Sequence, residues 1–450
     1  MASRQDQLHS YQFTVQRVVA AVVQHETDPV RSPFRRVAAA TLVGALLAAL
    51  GLAGAAVFGV LAGGGDSGWR DPGAVLVERE SGARYVYRDG RLHPVLNYAS
   101  ALLVVGSTPG HTVLVSRSAL SGVPRGVPLG IPGAPDSLPA PGRLSAEPWT
   151  VCSRSDASPQ SALLVGSRAA GGRTLDDRAL LVSTVDGERY VVWHLHRYRV
   201  RDPRLVLAAF GWDSAIPVPV APAVVNALPA GPDLARVPVA NRGRPSPAVR
   251  DARIGQVYVV ETQGGGRQYA VALADGLAPV TQVQADLLLV DPDTVAAIGQ
   301  HEATKLGQGD FAAARPAVLP APGDLPATTP SLVSSATTVC AVVPDARGPS
   351  EVRVDAQVPD GGFTTPSRVD RVVVPAGRAT LVEALASPVA PNGTLSLVTD
   401  LGVRYPVASP EVPAMLGYAG VTPVRLPSAL VALLPEGPAL DPAAARNPAP

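Results

Sequence analysis

Residues 82–100, GARYVYRDGRLHPVLNYAS, set arginines beside Asp89, His93, Asn97 and three tyrosines, the richest polar cluster in the chain. Side chains of these types, gathered together, are what acid–base chemistry uses. The same residues also furnish the turns, caps and solvated edges of a small folded unit. Other stretches pose the same choice. Phosphate chemistry of the P-loop kind needs a lysine inside Gly-x-x-x-x-Gly-Lys-Ser/Thr. The only lysine, Lys305, lies in HEATKLGQGD with threonine before it and leucine after, which excludes that motif. GDSGW, Gly65 to Trp69, imitates the surroundings of a nucleophilic serine, but no matching histidine and aspartate arrangement accompanies it. His194 and His196 in WHLHR share one face of an expected strand and have the chemistry of metal ligands, yet a third ligand nearby is missing, so they read as surface residues. ETQGGGRQYA offers glycines without a following helix signal, and a hairpin turn is the preferred reading. No catalytic residue, cofactor site or metal site is expected.

The elements that would carry such residues begin with a membrane segment. Val37 to Ala62, VAAATLVGALLAALGLAGAAVFGVLA, is uncharged. As a helix it would be about 39 Å long, enough to cross a hydrocarbon core of about 30 Å. A cleaved signal peptide would have a shorter apolar region closer to the N-terminus, so a retained anchor is expected. Arg31, Arg35 and Arg36 precede the run and Asp66 follows it, which places residues 1–36 in the cytoplasm and everything after Asp66 outside. Before the anchor, Tyr11, Val15, Val18 and Val22 recur at helical spacing, with Val19 and Val23 widening the same face of a short amphipathic helix. Within the anchor, Gly51, Ala55, Gly59 and Gly63 recur every four residues, a seam that lets another helix approach closely. Formal charge is +1, from 38 basic and 37 acidic residues, so no basic field exists to hold nucleic acid. Abundant proline and glycine favour a loop-rich, β-leaning fold outside the membrane.

The outer chain repeats itself. Residues 216–234, IPVPVAPAVVNALPAGPDL, and 422–440, TPVRLPSALVALLPEGPAL, align without gaps and agree at nine of nineteen positions. Upstream of each lies a Gly-x-x-Tyr strand, Gly187 to Tyr190 and Gly402 to Tyr405; Gly82 to Tyr85 has the same spacing, and a weaker copy runs through Gly266 and Tyr269. Four copies of one unit are therefore expected. In the first copy Asp89-Gly90 is a hairpin signal and Asn97 is placed to cap a short helix starting at Tyr98. The polar cluster of 82–100 then reads as turn, cap and strand-edge residues. Cys152 and Cys340 are the only cysteines and both fall outside, where a bridge between them would persist; two unpaired buried thiols are the alternative.

The motifs SRQDQLHSYQF, SPFRR, GRLHPVLNYASA, LGIPGAPDSLP, WTVC, NALPAGP, VRYPV and LLPEGPAL, with the distant Cys340, span nearly the whole chain and resemble the EccB family of actinobacterial type VII (ESX) secretion systems. The resemblance implies a single-pass membrane protein with an elongated, β-rich α+β extracytoplasmic region, in which four small repeat modules surround a central β-sheet domain tied by a disulfide. It implies a structural role beside the EccC motor ATPase, EccD, EccE and the mycosin protease, with self-association and no cofactor. Some family members carry an ATPase label, and the repeats resemble a phage-lysin wall-binding module, so a nucleotide hydrolase and a stand-alone wall binder are the competing functions. The expected division is 1–36 cytoplasmic segment, 37–62 membrane helix, 63–81 linker, 82–140, 186–240, 251–328 and 393–440 repeats, 145–185 and 332–390 the two parts of the central domain, and 441–450 a disordered tail.

Overall fold

The computed structural model describes residues 3–25, 33–62, 68–107, 110–319, 325–364 and 368–449. The chain forms two units, Met1–Asp71 with Val115–Ser121, and Pro72–Leu114 with Gly122–Pro450. In the first, the helix Arg4–Gln24 starts at a capping box: the Asp6 amide donates to Ser3 Oγ at 3.3 Å, and the Ser3 amide donates to Asp6 Oδ2 at 3.0 Å. These bonds satisfy amides that the first turn leaves without partners. Tyr11, Val15, Val18 and Val22 all lie on exposed positions of this helix. A second helix, Pro33–Ala62, contains the window Ala38–Ala55, whose mean hydropathy is 2.0 and none of which is buried. It is long and apolar enough to cross a membrane.

Among the described residues, the second unit has five sheets, four of them small and sharing one strand order. In sheet I the strands are Ala74–Glu78, Arg84–Arg88, Arg91–Pro94 and His111–Val115. Sheet II has Ala179–Ser183, Arg189–Trp193, His196–Arg199 and Val218–Pro219, with Leu332–Val333 also paired to its first strand. Sheet III has Val257–Glu261, Arg267–Ala272, Leu277–Val280 and Thr304–Lys305; sheet IV has Thr380–Leu385, Thr394–Val398, Arg404–Pro406 and Val424–Pro427. The spatial order is third, second, first, fourth in every case. Three antiparallel strands form a meander, and in sheets II, III and IV the fourth returns parallel to the first. Such a return requires a crossover. Helices supply it: Tyr98–Val105, Pro203–Phe210, Gln282–Val290 and Val412–Met415 follow the third strands of sheets I to IV in turn.

After the fourth strand, an extended strap returns along the outer edge of the third. Its bridges are Leu92↔Arg125 and Val95↔Leu129 in sheet I, Arg197↔Ala230 and Val200↔Leu234 in sheet II, Leu277↔Pro316 in sheet III, and Arg404↔Glu436 and Val407↔Leu440 in sheet IV. The strap occupies backbone groups that a bare edge would leave open to other chains.

The central sheet has seven strands, in the order Phe363–Thr364, Arg371–Val373, Ser161–Leu164, Trp149–Arg154, Thr338–Val343, Glu351–Gln357, Ala170–Thr174. One face joins the inner faces of sheets II and IV in a continuous core that includes Val151, Leu163, Val339, Val192 and Val398. The other face holds Cys152 and Cys340, which are bonded to each other and packed by Ala162, Leu164 and Ala356. The two cysteines are Cα partners across the Trp149–Arg154 and Thr338–Val343 pair.

Three expected boundaries move. The segment 63–81 is no linker throughout, because Ala74–Glu78 is a largely buried first strand. The segments 145–185 and 332–390 are not wholly central, because Ala179–Ser183 and Thr380–Leu385 open sheets II and IV. In all three cases the expected boundary falls in a hairpin turn, whereas a hairpin needs the strand before its turn as much as the one after it. The segment 441–450 is also ordered as far as it is described. Asp441 caps the helix Pro442–Ala445 through the Ala443 amide at 2.9 Å, Ala445 is fully buried, and the Ala449 amide donates to the Pro128 carbonyl at 2.8 Å. An Asp-Pro start gives this short helix a cap and a preset φ, a signal that tail composition obscured.

Candidate functional site

The residues with chemical promise are dispersed. Lys305 lies on the two-residue edge strand of sheet III, mostly exposed, with Nζ 3.3 Å from Glu261 Oε1. Of GDSGW, residues 65–67 lie outside the described residues, while Gly68 and Trp69 belong to a turn of 3-10 helix. The two histidines do not share a strand face, which corrects that expectation. His194 occupies the left-handed turn between two strands, with φ 45°, and its ring stacks on Trp193 at 3.9 Å and meets Asp177 Oδ1 at 3.1 Å. His196 begins the next strand and reaches back to the His194 carbonyl at 2.9 Å. Among the described residues no group of three histidine, cysteine or acidic side chains is arranged to hold a metal. ETQGGGRQYA forms the hairpin between the first two strands of sheet III.

The polar stretch 82–100 clasps the strap of sheet I. Asp89 and Gly90 both take positive φ, 50° and 73°, the pair that a tight hairpin turn demands. Asn97 caps the helix Tyr98–Val105 by accepting from the Ser100 amide at 2.9 Å, and its Nδ2 donates to the Ile131 carbonyl at 2.8 Å. Arg84 pairs with Asp136 at 2.7 Å, and the same carboxylate accepts from the Tyr98 amide at 3.1 Å. The Arg125 guanidinium lies 4.5 Å from the Tyr85 ring centre, and His93 Nδ1 meets the Val127 carbonyl at 2.9 Å. Apart from the Asn97 cap on Ser100, these contacts join 82–100 to 125–136. The arrangement uses these polar side chains to hold the strap against the hairpin and helix of sheet I.

The Gly-x-x-Tyr positions divide into three kinds. Gly82 and Gly187 have φ of 72° and 82° in the turn between first and second strands, and Tyr85 and Tyr190 stand on second strands opposite Leu76 and Val182. Gly402, φ 72°, sits one hairpin later, so Tyr405 stands on a third strand opposite Leu397. In sheet III the left-handed glycine is Gly265, φ 77°, not Gly266, and Tyr269 is thereby one residue further from its turn. An odd shift along a strand sends a side chain to the opposite face.

A different equivalence joins the sheets. The third-strand ring lies over a strap glycine: Tyr198 over Gly231, Tyr405 over Gly437 and His93 over Gly126, so close that an added Cβ would fall within 3 Å of the ring. Those glycine amides donate to the third strand, Gly231 to Arg197, Gly437 to Arg404 and Gly126 to Leu92, at 2.8–2.9 Å. Sheet III makes the same bond from Ala317 to Leu277 at 2.9 Å, and there the third strand carries Ala278 where the others carry a ring. Glycine is needed only where a ring covers the strap. The partners are some thirty residues apart, and the only trace in the sequence is the shared glycine of NALPAGPDL and ALLPEGPAL.

Burial raises several groups above their ordinary values, among them Tyr258 and Tyr405. Burial pushes the Tyr418 phenol far up, and its hydroxyl donates to the Pro139 carbonyl at 3.0 Å. Burial also raises Asp286, opposed by the Thr329 hydroxyl donating to it at 2.9 Å. In the anchor, Gly51 and Ala55 are exposed and Gly59 lies on the helix; Gly63 and Arg31 fall outside the described residues, and Arg35 and Arg36 are described only as helical backbone.

Fold and surface together define a class: among the described residues, one helix long and apolar enough to span a bilayer, and a large β-rich domain of several sheets. The sequence matches the family described as "Type VII secretion system ESX-1, transport TM domain B" over residues 1–448, and the chain belongs to that EccB family. It is 33% identical over 405 residues to "ESX-2 secretion system ATPase EccB2" of Mycobacterium tuberculosis, covering 82% of this chain and 80% of that protein. It is 29% identical over 482 residues to "ESX-3 secretion system ATPase EccB3" of Mycolicibacterium smegmatis, covering 97% and 88%. Among solved structures it is similar to a chain of an intact ESX-5 inner membrane complex, with TM-score 0.69, 26% identity, and 100% and 96% coverage. It is also similar to the EccB3 dimer of the ESX-3 core complex, with TM-score 0.67, 27% identity, and 83% and 100% coverage.

Proposed function

We propose that this chain is a structural subunit of a type VII secretion membrane complex, supporting protein export across the cell membrane through its large outer domain. The observation that carries the reading is the match along the whole chain to a subunit of an ESX inner membrane complex, which takes in anchor and β-rich domain together. The N-terminal segment 1–36 lies in the cytoplasm and residues 66–450 outside, on the strength of the arginines before the apolar run. The four small sheets are four repeat modules around the central sheet. Their common strand order, their straps and the nine matching positions of 216–234 and 422–440 support this. The partners are the EccC motor ATPase, EccD, EccE and the mycosin protease, together with further copies of this chain. The seam Gly51, Ala55, Gly59 and Gly63 packs against a neighbouring membrane helix.

The relatives' printed names carry the word ATPase, which favours a second reading. Against it stands Lys305, the only lysine, on an exposed edge and paired with Glu261. Native electrophoresis of gently solubilised membranes, followed by identification of the co-migrating chains, tests the first reading: the chain should run in one large complex with the secretion partners. Migration as a solitary species, combined with ATP turnover that survives repurification and disappears in Lys305→Ala, would replace it with the second.

A further inference from the structure

A cavity of about 540 Å³ opens where the helix Pro222–Ala227 of sheet II meets Ser428–Val431 and Leu433 of sheet IV. We propose that it is a binding site for a small aliphatic carboxylate. Its walls are apolar, with Ala223 and Ala227 from one side and Leu430 and Leu433 from the other, and its polar rim includes Arg197 and Arg368. The walls are rigid, because Ala223, Leu430 and Leu433 belong to the core shared with the central sheet. A space of this size, apolar with a few polar groups at one edge, is the usual form of a small-molecule site.

The charge at the rim is what selects the ligand. Arg197 and Arg404 hold equivalent places on third strands, each bridged to its own strap. The strap residue opposite Arg404 is Glu436, and the two form an ion pair. The strap residue opposite Arg197 is Ala230. Arg197 is therefore the member of this pair whose carboxylate is missing. Its Nη1 donates to the Val225 carbonyl at 3.1 Å and to Asn226 Oδ1, both neutral acceptors. The guanidinium carbon also lies 6.0 Å from the Tyr190 ring centre. Nε and Nη2 have no hydrogen-bond partner among the described residues, and in an arginine these two donors have the spacing of two carboxylate oxygens. Arg368 is exposed and has no carboxylate partner among the described residues. Two guanidinium groups without acids, above a small aliphatic pocket, fit a ligand with a carboxylate head and a short hydrocarbon body.

The test uses the full chain in lipid nanodiscs, with hexanoate as probe, hexanamide as its uncharged counterpart and empty nanodiscs as blank, read by saturation-transfer NMR. Saturable hexanoate binding is expected, with hexanamide about tenfold weaker for loss of one charge-assisted fork. Arg197→Gln and Arg368→Gln should each weaken hexanoate several-fold, and Ala429→Trp should remove binding by filling the cavity from an exposed position. Melting midpoints establish that each variant is folded. Should Arg197→Gln fail to fold, Arg368→Gln and Ala429→Trp decide the matter. Equal binding of hexanamide and hexanoate, indifference to Arg368→Gln and Ala429→Trp, or no saturable binding overturns the proposal.

Discussion

The central sheet and the four small sheets solve closure in opposite ways. Each small sheet finishes within one local run of chain: sheet II gathers Ala179 to Leu234, and sheet IV Thr380 to Leu440, with the Leu332–Val333 strand an addition to sheet II. The central sheet joins strands on either side of sheets II and III, and its disulfide spans a sequence separation of 188. Local closure relies on a few strap-to-strand backbone bonds, with a ring over a glycine in sheets I, II and IV. Distant closure carries a covalent link where the entropy of the intervening loop is greatest. The difference teaches that the bridge belongs to the topology of the central sheet, whereas the small sheets hold themselves shut without one.

Removing the bridge should have the largest effect. Cys152→Ser with Cys340→Ser should lower unfolding stability by as much as about 5 kcal/mol on the chain-entropy account. Urea melts with and without reductant measure it, and an unchanged midpoint would break the contrast between distant and local closure. Gly437→Ala or Gly231→Ala comes next, at about 1–3 kcal/mol, because the new methyl must displace a buried tyrosine ring. Combining Gly231→Ala with Tyr198→Ala should cost less than the sum of the two, a non-additivity that a double-mutant cycle reads directly. Asn97→Ala should remove about 1–2 kcal/mol, since both the helix cap and the bond to the Ile131 carbonyl disappear. In sheet III, where no ring covers the strap, Ala317→Gly should cost only about 0.5–1 kcal/mol of chain entropy. A larger loss there would show that Ala317 packs as the glycines cannot.

The smallest expected effect is a pH dependence in the central sheet. The Thr337 amide donates to Asp355 Oδ1 at 2.8 Å, and with help from the Thr337 hydroxyl and Arg173 it holds this carboxyl below its ordinary value. A depressed carboxyl stabilises fully above the unfolded value, near 4, and the contribution is lost as pH falls through the lower folded value. Asp355→Asn should therefore flatten the acid limb of a stability–pH profile and leave its slope near neutrality unchanged. Denaturant midpoints from pH 7 to pH 2 would check this.

Several of these features are written locally and were legible in the chain. The apolar run at 37–62, the Asp89-Gly90 turn and the Asn97 cap each follow from residues within a few positions of one another. The family and its role in secretion were legible through whole motifs. The strap was harder, because Tyr198 and Gly231, or Tyr405 and Gly437, are coupled across a sheet edge and no spacing rule links them. Glycine at a fixed distance from tyrosine also gave a false equivalence at Gly402. A left-handed turn opens either hairpin of a three-stranded meander, and spacing alone does not say which. Sheet III misled for a related reason: three consecutive glycines at 264–266 offer three places for one turn, and the chain uses Gly265.

The central sheet's long insertion also sets a timetable. Chain growth at about 5–20 residues per second separates the appearance of Cys152 from that of Cys340 by roughly 10–40 s. Throughout that interval Trp149–Arg154 has its neighbour Ser161–Leu164 but lacks Thr338–Val343, so one long side of a strand that ends almost wholly buried is open. Sheets II and III can close in the meantime, since their meanders and straps are complete by Leu234 and Ala317. Newly made copies that meet during this window share a single reactive thiol each and an identical open strand. Where copies reach an oxidising compartment that takes up the two electrons and two protons, crowded synthesis should therefore yield Cys152-to-Cys152 linked pairs as its characteristic error, and slower expression should reduce them.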